Sequence, residues 1–526
     1  MLFTIISFAI VLSTLSVASS SSPVTSLPSD TTTLPPVYKN ANHIFNAIHS
    51  SMRQWGSTLN HNGMSFFPAY LPAGTELYHG TGTVDVVKGM EWLAFEPEHA
   101  LDFAWKFVGP LANHFEDQDS MLTKWVLDSD LYRNVMQRTL ETGQDDFYQQ
   151  LHDGIQHPLH RSGRSTPRPP SELQPGWLHT YVMKHDLRLV YLDGLSAAKS
   201  NKGTLDSQNF ILSLGGERWS DYLRAMRMCK LAAEEWNGRI DGFIRTEHGF
   251  ELILCDFESS ADLIRVVRAN ETFAFGNGED GAMRFFSFMK AITARYHGIG
   301  MSRTSLDYSR MVTAFAYDID LFTEHETDLP RLKYISEEDR AKIVADLSKS
   351  IMHEDDHQPT PPQWTNWQAI ADMIIARYSN TLHELASSPV YTCRKRLDLE
   401  ITLSMRPFID YDNRNTTLEL HRCTSHFIPR NHTSSIASAA VTHISNRICS
   451  TFFFAGAATT TTLDAQRSFQ DLVAYLQWTS WKECRGCKYD ELCFTAIWPF
   501  GNMEDHVRPS CRNGTGMVYR RDYWRR

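Results

Sequence analysis

The sequence predicts an α+β fold spread over more than one folded region, and three observations carry that expectation. At 526 residues the chain is longer than one hydrophobic core usually organises. Up to about residue 275, short apolar and β-branched runs bounded by Gly and Asp dominate, with a helical pattern set among them at 221–236. From about 276 to 400, apolar residues recur at a helical period instead.

The elements follow in order. Residues 1–18 read as a signal peptide: an apolar stretch from Leu2 to Val17 runs into small residues suited to cleavage at Ala18 to Ser20. Residues 19–36 are rich in Ser, Thr and Pro and read as a linker, since such a composition packs no core. The region 37–275 carries the strand-like runs "TELYHG", "EWLAF", "HTYVMKHDLRLVYLDG", "NFILSL", "DGFIRT" and "FELILCDF". It is interrupted at 152–177 by a Pro-rich, basic stretch that reads as an exposed insertion. In the helical region 276–400, Ser336 opens a capping-box-like start and Ile343, Leu347 and Ile351 follow at helical spacing. A second helix is predicted over 366–386, with Trp367, Ile370, Ile374, Tyr378, Leu382 and Leu385 along one face as core residues. The region 401–526 is Cys-rich, with Thr, Ser and Ala stretches.

Charge and cysteines bound the function. A net charge of −10 argues against a nucleic-acid partner, whose affinity rests on a basic face that neutralises phosphates. No segment after the signal peptide is apolar for the length a membrane span needs. The chain is therefore expected to be secreted, and four sequons fit that compartment, at Asn270, Asn415, Asn431 and Asn513. Nine cysteines in an oxidising compartment should mostly pair, and the odd count leaves at least one free or bridging between chains. Cys229 and Cys255 either bridge within the first region or stay as two buried thiols. The set Cys484, Cys487, Cys493 and Cys511 has spacing that zinc also accepts, with disulfides favoured outside the cell.

Chemistry points first to "ELYHGTGTVDVVKGMEWLAFEPEHALDFA", Glu76 to Ala104. His79 at a strand end is placed to hydrogen-bond a ribose hydroxyl, and Gly80 lets a ligand approach the backbone closely. Trp92 offers a face for an aromatic ring. Far downstream, "DGFIRTEHGFELILCDF" ends in a strand that begins at Glu251. These segments resemble the ADP-ribosyltransferase fold, in the branch marked by His-Gly-Thr and common among secreted toxins; Trp92 stands where that family carries Tyr. The resemblance implies a split β-sheet domain over 37–275. It also implies NAD as substrate, held by His79, Gly80, Thr81 and Trp92. Glu251 would be the catalytic glutamate that stabilises the oxocarbenium-like charge as nicotinamide leaves. It further implies a protein or small-molecule acceptor, and no metal. His79, Trp92 and Glu251 should then meet in one cleft. The alternative is a non-catalytic secreted glycoprotein that keeps the fold to bind a partner.

Over most of its length the chain is also similar to a group of uncharacterised secreted fungal proteins, through "LYHG", "EWLAFEPEHA", "YLDGLSAAK", "GTLD" and "WQAIADMIIARY"; this implies an origin and no activity. Asp193, Ser196, Lys199 and Asp206 in and after "YLDGLSAAK" either line a site or form a surface loop. A minor alternative is a zinc metalloprotease, because His353-Glu354-Asp355-Asp356-His357 matches H-E-x-x-H, although acidic residues and "QPTPPQ" surround it.

Overall fold

A computed structural model describes residues 34–108, 172–212, 221–270, 286–287, 289–290, 303–324, 328–353, 364–497 and 501–514. The signal peptide, nearly all of the linker, residues 152–171 of the insertion and Glu354 to His357 lie outside them. Pro35–Arg526 forms one compact unit. The fold is α+β.

The strands are β1 (Asn62–Leu71), β2 (Glu76–Thr81), β3 (Glu91–Ala94), β4 (Trp105–Val108), β5 (Glu172–Pro175), β6 (Trp177–Met183), β7 (Leu187–Gly194), β8 (Gly242–Thr246), β9 (Phe250–Leu254), β10 (Ala261–Arg268), β11 (Ser305–Leu306), β12 (Val312–Thr313), β13 (Leu492–Phe494) and β14 (Ser510–Arg512). Ten of them form one sheet in the order β10-β6-β2-β3-β9-β8-β7-β1-β11, with β12 also on β1. All pairs are antiparallel except β7–β8. All but one of the runs expected as strands share one hydrogen-bonded path rather than two separate sheets; "NFILSL" is the exception, its residues 209–211 lying in the π-helix Ser207–Ile211. The weakest joint in that path is β2–β3, with a single paired position, Tyr78–Ala94. Every residue of β8 and β9 is buried, as in a sheet covered on both faces.

The helices used below are α1 (Ala41–Ser50), α2 (Gln54–Leu59), α3 (Pro97–Leu101), α4 (Asp221–Glu234), α5 (Glu337–Ile351), α6 (Trp367–Ser387), α7 (Arg394–Met405), α8 (Thr416–Ser425), α9 (Ile436–Ala455) and α10 (Thr462–Leu476). Ser336 caps α5 by accepting from Asp339 N, and the stripe predicted on α6 is buried at all six positions. No described helix is long and apolar enough to cross a membrane.

Three further stretches differ from their sequence reading. Residues 305–306 and 312–313, inside the stretch read as helical, pair with β1. The Cys-rich end includes the helices α8, α9 and α10, and α9 packs against α1, α8 and α10. The last residues of the supposed insertion are β5 and the start of β6, and β5 pairs with β4. Four disulfides join Cys229–Cys255, Cys423–Cys449, Cys484–Cys493 and Cys487–Cys511, and Cys393 is free and exposed. Cys229–Cys255 ties α4 to the end of β9. Asn270, Asn415, Asn431 and Asn513 are all exposed. Asn415 also caps α8 by accepting from Leu418 N.

Asp193 has a structural place. β1 and β7 shift register between Asn62 and Phe66, and a Cβ on Gly63 would stand 1.8 Å from Asp193 O. The Asp193 carboxylate accepts from Ser65 N at 2.8 Å inside this close approach. Burial pushes its carboxyl up to about 7. The folded state therefore holds a proton that the unfolded chain, at about 3.9 for Asp, releases. Stability from this group is full below that lower value and declines as pH rises toward about 7. In urea titrations at pH 5 and pH 8, Asp193→Asn should lose less stability between the two pH values than the wild type does. An equal loss in both would remove Asp193 as the source.

Candidate functional site

The face of the sheet that carries Glu251 holds a buried charge network. Direct cross-strand partners share a face, so Tyr78, Ala94, Glu251 and Arg245 lie together through the pairs Tyr78–Ala94, Ala94–Glu251 and Arg245–Glu251. Trp92 is two residues from Ala94 and shares the same face. Its direct partner on β9 is Ile253, which places it diagonally from Glu251, roughly 7–8 Å away in such a ladder. Its ring centroid lies 6.1 Å from that of Tyr222 on α4.

His79 is one residue from Tyr78, so its side chain takes the other face. Its ring packs at 6.2 Å from Phe257 and 6.3 Å from His179. Nδ1–H donates to the Trp92 carbonyl at 2.8 Å, where the two strands part beyond their single paired position. A carbonyl only accepts, so this bond fixes the proton on Nδ1. Burial lowers the His79 pKa to about 4, and the ring is neutral. The structure thus brings Trp92 and Glu251 together and turns His79 away. His79 supports the backbone of Trp92 from behind.

Gly80 lies on the Glu251 face, but the space beside it is filled. A Cβ there would stand 1.8 Å from the Ala100 carbonyl, so glycine is what lets α3 lie on β2. Thr81 is half-buried and its hydroxyl accepts from Thr83 N at 3.4 Å.

The centre of the network is Arg245, fully buried on β8. Its Nε and Nη2 donate to Glu251 Oε1 at 2.9 and 2.6 Å. Nη1 and Nη2 donate to Asp221 Oδ1 and Oδ2 at 3.1 and 2.8 Å, and Nη1 also reaches Gln208 Oε1 at 3.1 Å. Lys199 Nζ sits 3.3 Å from Asp221 and 3.6 Å from Glu247. Burial pushes the Asp221 carboxyl up, but the Arg245 and Lys199 charges outweigh it and hold Asp221 well below the usual carboxylate range. Glu247 is low for a similar reason, with Lys199 and His248 overcoming its burial.

Beyond Glu247 the network reaches two histidines. The turn between β8 and β9 is closed by Glu247 N donating to Gly249 O, and it carries Glu247 and His248. Pro97 at the first turn of α3 starts the helix that presents His99. Glu247 Oε1 lies 3.5 Å from His248 Nδ1 and 3.8 Å from His99 Nε2. His248 Nε2 bonds Asp102 Oδ2 at 2.9 Å. Burial lowers the His248 pKa, but the bond to Asp102 and the Glu247 charge reverse this and raise it.

Of the four residues in and after "YLDGLSAAK", Lys199 joins this network by its side chain and Ser196 only through its carbonyl, which accepts from Gln208 Nε2 at 2.6 Å. Asp193 holds the β1–β7 irregularity, the Ser196 hydroxyl donates to Leu192 O, and Asp206 pairs with Arg331 at 2.8 Å. Arg245, Asp221, Glu247, His248, His99 and Asp102 were not singled out from sequence. The available signal was an arginine at the end of the apolar run "DGFIRT", followed at once by "EHG".

The match to a family model falls on this half of the chain. Residues 35–276 match the family model described as the YPL277C N-terminal domain. That span contains every residue of the network. "Uncharacterized protein YOR389W" of Saccharomyces cerevisiae (strain ATCC 204508 / S288c) is 30% identical over 246 residues, which is 44% of this chain and 33% of the relative. "Uncharacterized protein YPL277C" of the same yeast is 29% identical over 244 residues, 44% of this chain and 43% of the relative. The chain thus spans less than half the length of either relative. No solved structure matches it.

Proposed function

We propose that the chain is an exported NAD-consuming enzyme that releases nicotinamide, by ADP-ribosyl transfer to an acceptor or by hydrolysis. One observation carries this reading: Trp92 and Glu251 share one face of adjacent strands, with Glu251 fixed by a buried arginine. The Trp92 ring would lie against the nicotinamide. Both Arg245 bonds to Glu251 fall on Oε1, so Oε2 is the oxygen that would take a ribose hydroxyl. The glycosidic bond breaks with its electron pair leaving on the nicotinamide nitrogen. The fixed carboxylate stabilises the positive charge that develops on the sugar. Water or another nucleophile then bonds that carbon and gives up its proton. His79 acts here through Trp92 and has no contact with the ribose. The four disulfides and the exposed sequon asparagines support export.

A second reading is a non-catalytic secreted glycoprotein that keeps the fold for binding. It is favoured by the placement of His79 on the opposite face and by the helix that fills the space beside Gly80. Incubating the purified chain with NAD and following nicotinamide by chromatography separates the two. The enzyme reading expects release, and on the order of 10²-fold or more loss in Glu251→Gln, with the variant's fold checked by circular dichroism. Absence of release from the wild type, with no NAD binding by calorimetry, overturns it in favour of the second.

A further inference from the structure

We infer that His99, Glu247 and His248 form a binding site for one first-row divalent transition-metal ion, with Zn2+ as the leading occupant, and that Asp102 orients His248 from outside the coordination shell. The inference is independent of NAD cleavage. Ligand atoms of the three residues all lie within 4.8 Å of one another. The carboxylate oxygen Oε1 of Glu247 stands 3.5 and 3.8 Å from the two imidazole nitrogens. Ligands bonded at about 2.1 Å to one tetrahedral ion stand about 3.4 Å apart, so shifts of a few tenths of an ångström close the shell. These spacings exceed a hydrogen bond between the same groups. As they stand, the three side chains meet without bonding one another well.

His99 supplies the second, separate observation. It is 1% exposed, and both of its ring nitrogens lack a hydrogen-bond partner among the described residues. A buried imidazole left in that state costs the desolvation of two polar atoms. Its Nε2 is aimed at Glu247, and a metal ion between them would satisfy it. The orientation of His248 fits the same role. Its Nε2 is held by the Asp102 carboxylate at 2.9 Å, and its Nδ1 faces Glu247. A carboxylate on the far nitrogen is the usual way a ligating histidine is fixed in tautomer and angle.

Two nitrogens and one carboxylate oxygen suit Zn2+, Fe2+ or Co2+ better than Ca2+ or Mg2+, which take all-oxygen shells. Three protein ligands leave a position open to water or substrate. Lys199, 3.6 Å from the other Glu247 oxygen, is also paired with Asp221 at 3.3 Å, so its charge has a counterion apart from Glu247. The three cysteines that also cluster, Cys484, Cys487 and Cys511, are all in disulfides and offer no thiolate.

The test strips the purified full-length chain with a chelator, dialyses it, and titrates it with ZnCl2 by calorimetry and with CoCl2 by visible absorption. The expected result is one ion per chain, a d–d spectrum of low-symmetry Co2+, and a rise in melting temperature on loading. His99→Ala should abolish the site. Asp102→Asn, which keeps the side chain's volume, should retain one site and weaken it about 10- to 100-fold. Glu251→Gln should leave the metal stoichiometry unchanged, which separates this outcome from the fate of the NAD reading. Failure of the stripped wild type to bind either ion saturably overturns the inference. So does one-site binding of wild-type affinity in both His99→Ala and Asp102→Asn.

Discussion

Replacing Arg245 with methionine is expected to destabilise the protein by about 3–5 kcal/mol, the usual cost of removing one partner from a buried ionic cluster. Arg245 is fully buried and donates to two carboxylates that belong to different elements, Asp221 on α4 and Glu251 on β9. Methionine fills much of the volume, so the loss is chiefly electrostatic: Glu251 loses the guanidinium bonded to it, and Asp221 keeps Lys199 and the more distant Arg224. Urea unfolding at pH 7 measures the loss. Two further readings identify its origin. Combining Arg245→Met with Glu251→Gln should recover part of the stability, because one uncompensated charge is gone. The deficit should also shrink on acidification. In the wild type, Asp221 is depressed, so its contribution is present above the unfolded carboxyl value and is lost as pH falls through the lower folded value. In the variant Arg245 no longer offsets the burial of Asp221, so that carboxylate is relieved by protonation well before that point. A deficit independent of pH between 7 and 5 would assign the effect to packing.

What the sequence made legible was local. Helix α5 was marked by Ser336 at its cap, and α6 by a stripe of six apolar residues that are all buried. The strands containing His79, Trp92 and Glu251 were marked by apolar runs and Gly punctuation, and the three are neighbours in the sheet. The faces of those strands were not legible. A strand alternates every residue, so whether His79 or Tyr78 shares a face with Glu251 depends on pairing across sequence separations of up to about 170 residues, which no local pattern records. The same holds for Arg245. One arginine in a buried strand looks like an edge residue until Asp221 and Glu251 are brought to it. Helix α9 was missed for another reason: residues 436–455 are rich in Ala, Ser and Thr, with no polar face to give a period, because the helix packs against several neighbours. Strands β11 and β12 are two residues long and owe their existence to β1.

A fragment of residues 35–276, the span matched by the family model, is expected to be insoluble or molten when produced alone, whereas the full chain unfolds in one cooperative transition from Pro35 onward. Helix α1 lies inside that span and is buried on nearly every side: Ala41, Ile44, Phe45 and Ile48 are fully buried, and its covering comes from α6, α9 and α10, all beyond residue 360. The polar bonds around it cross the same boundary. Asn42 and Asn46 donate to Tyr475 O and Leu476 O at 2.8 and 2.9 Å, and Gln368 donates to Ser51 O at 2.7 Å. Trp55 donates to Thr479 O at 3.2 Å, and Arg53 makes a two-point pair with Asp372 at 2.7 and 2.6 Å. Cutting after 276 exposes these side chains and uncovers β1, the strand that β11 and β12 protect at the sheet edge. Exposing Ile44, Phe45 and Ile48 costs several kcal/mol at about 25 cal/mol per Å2, comparable with the whole stability of a domain. Near-UV circular dichroism and a single-transition melt of the full chain, set against dye binding and hydrogen exchange of the fragment, decide it. A fragment with native near-UV signal and a sharp transition would show that the sheet carries its own core, and that the helices beyond residue 360 only dock on it.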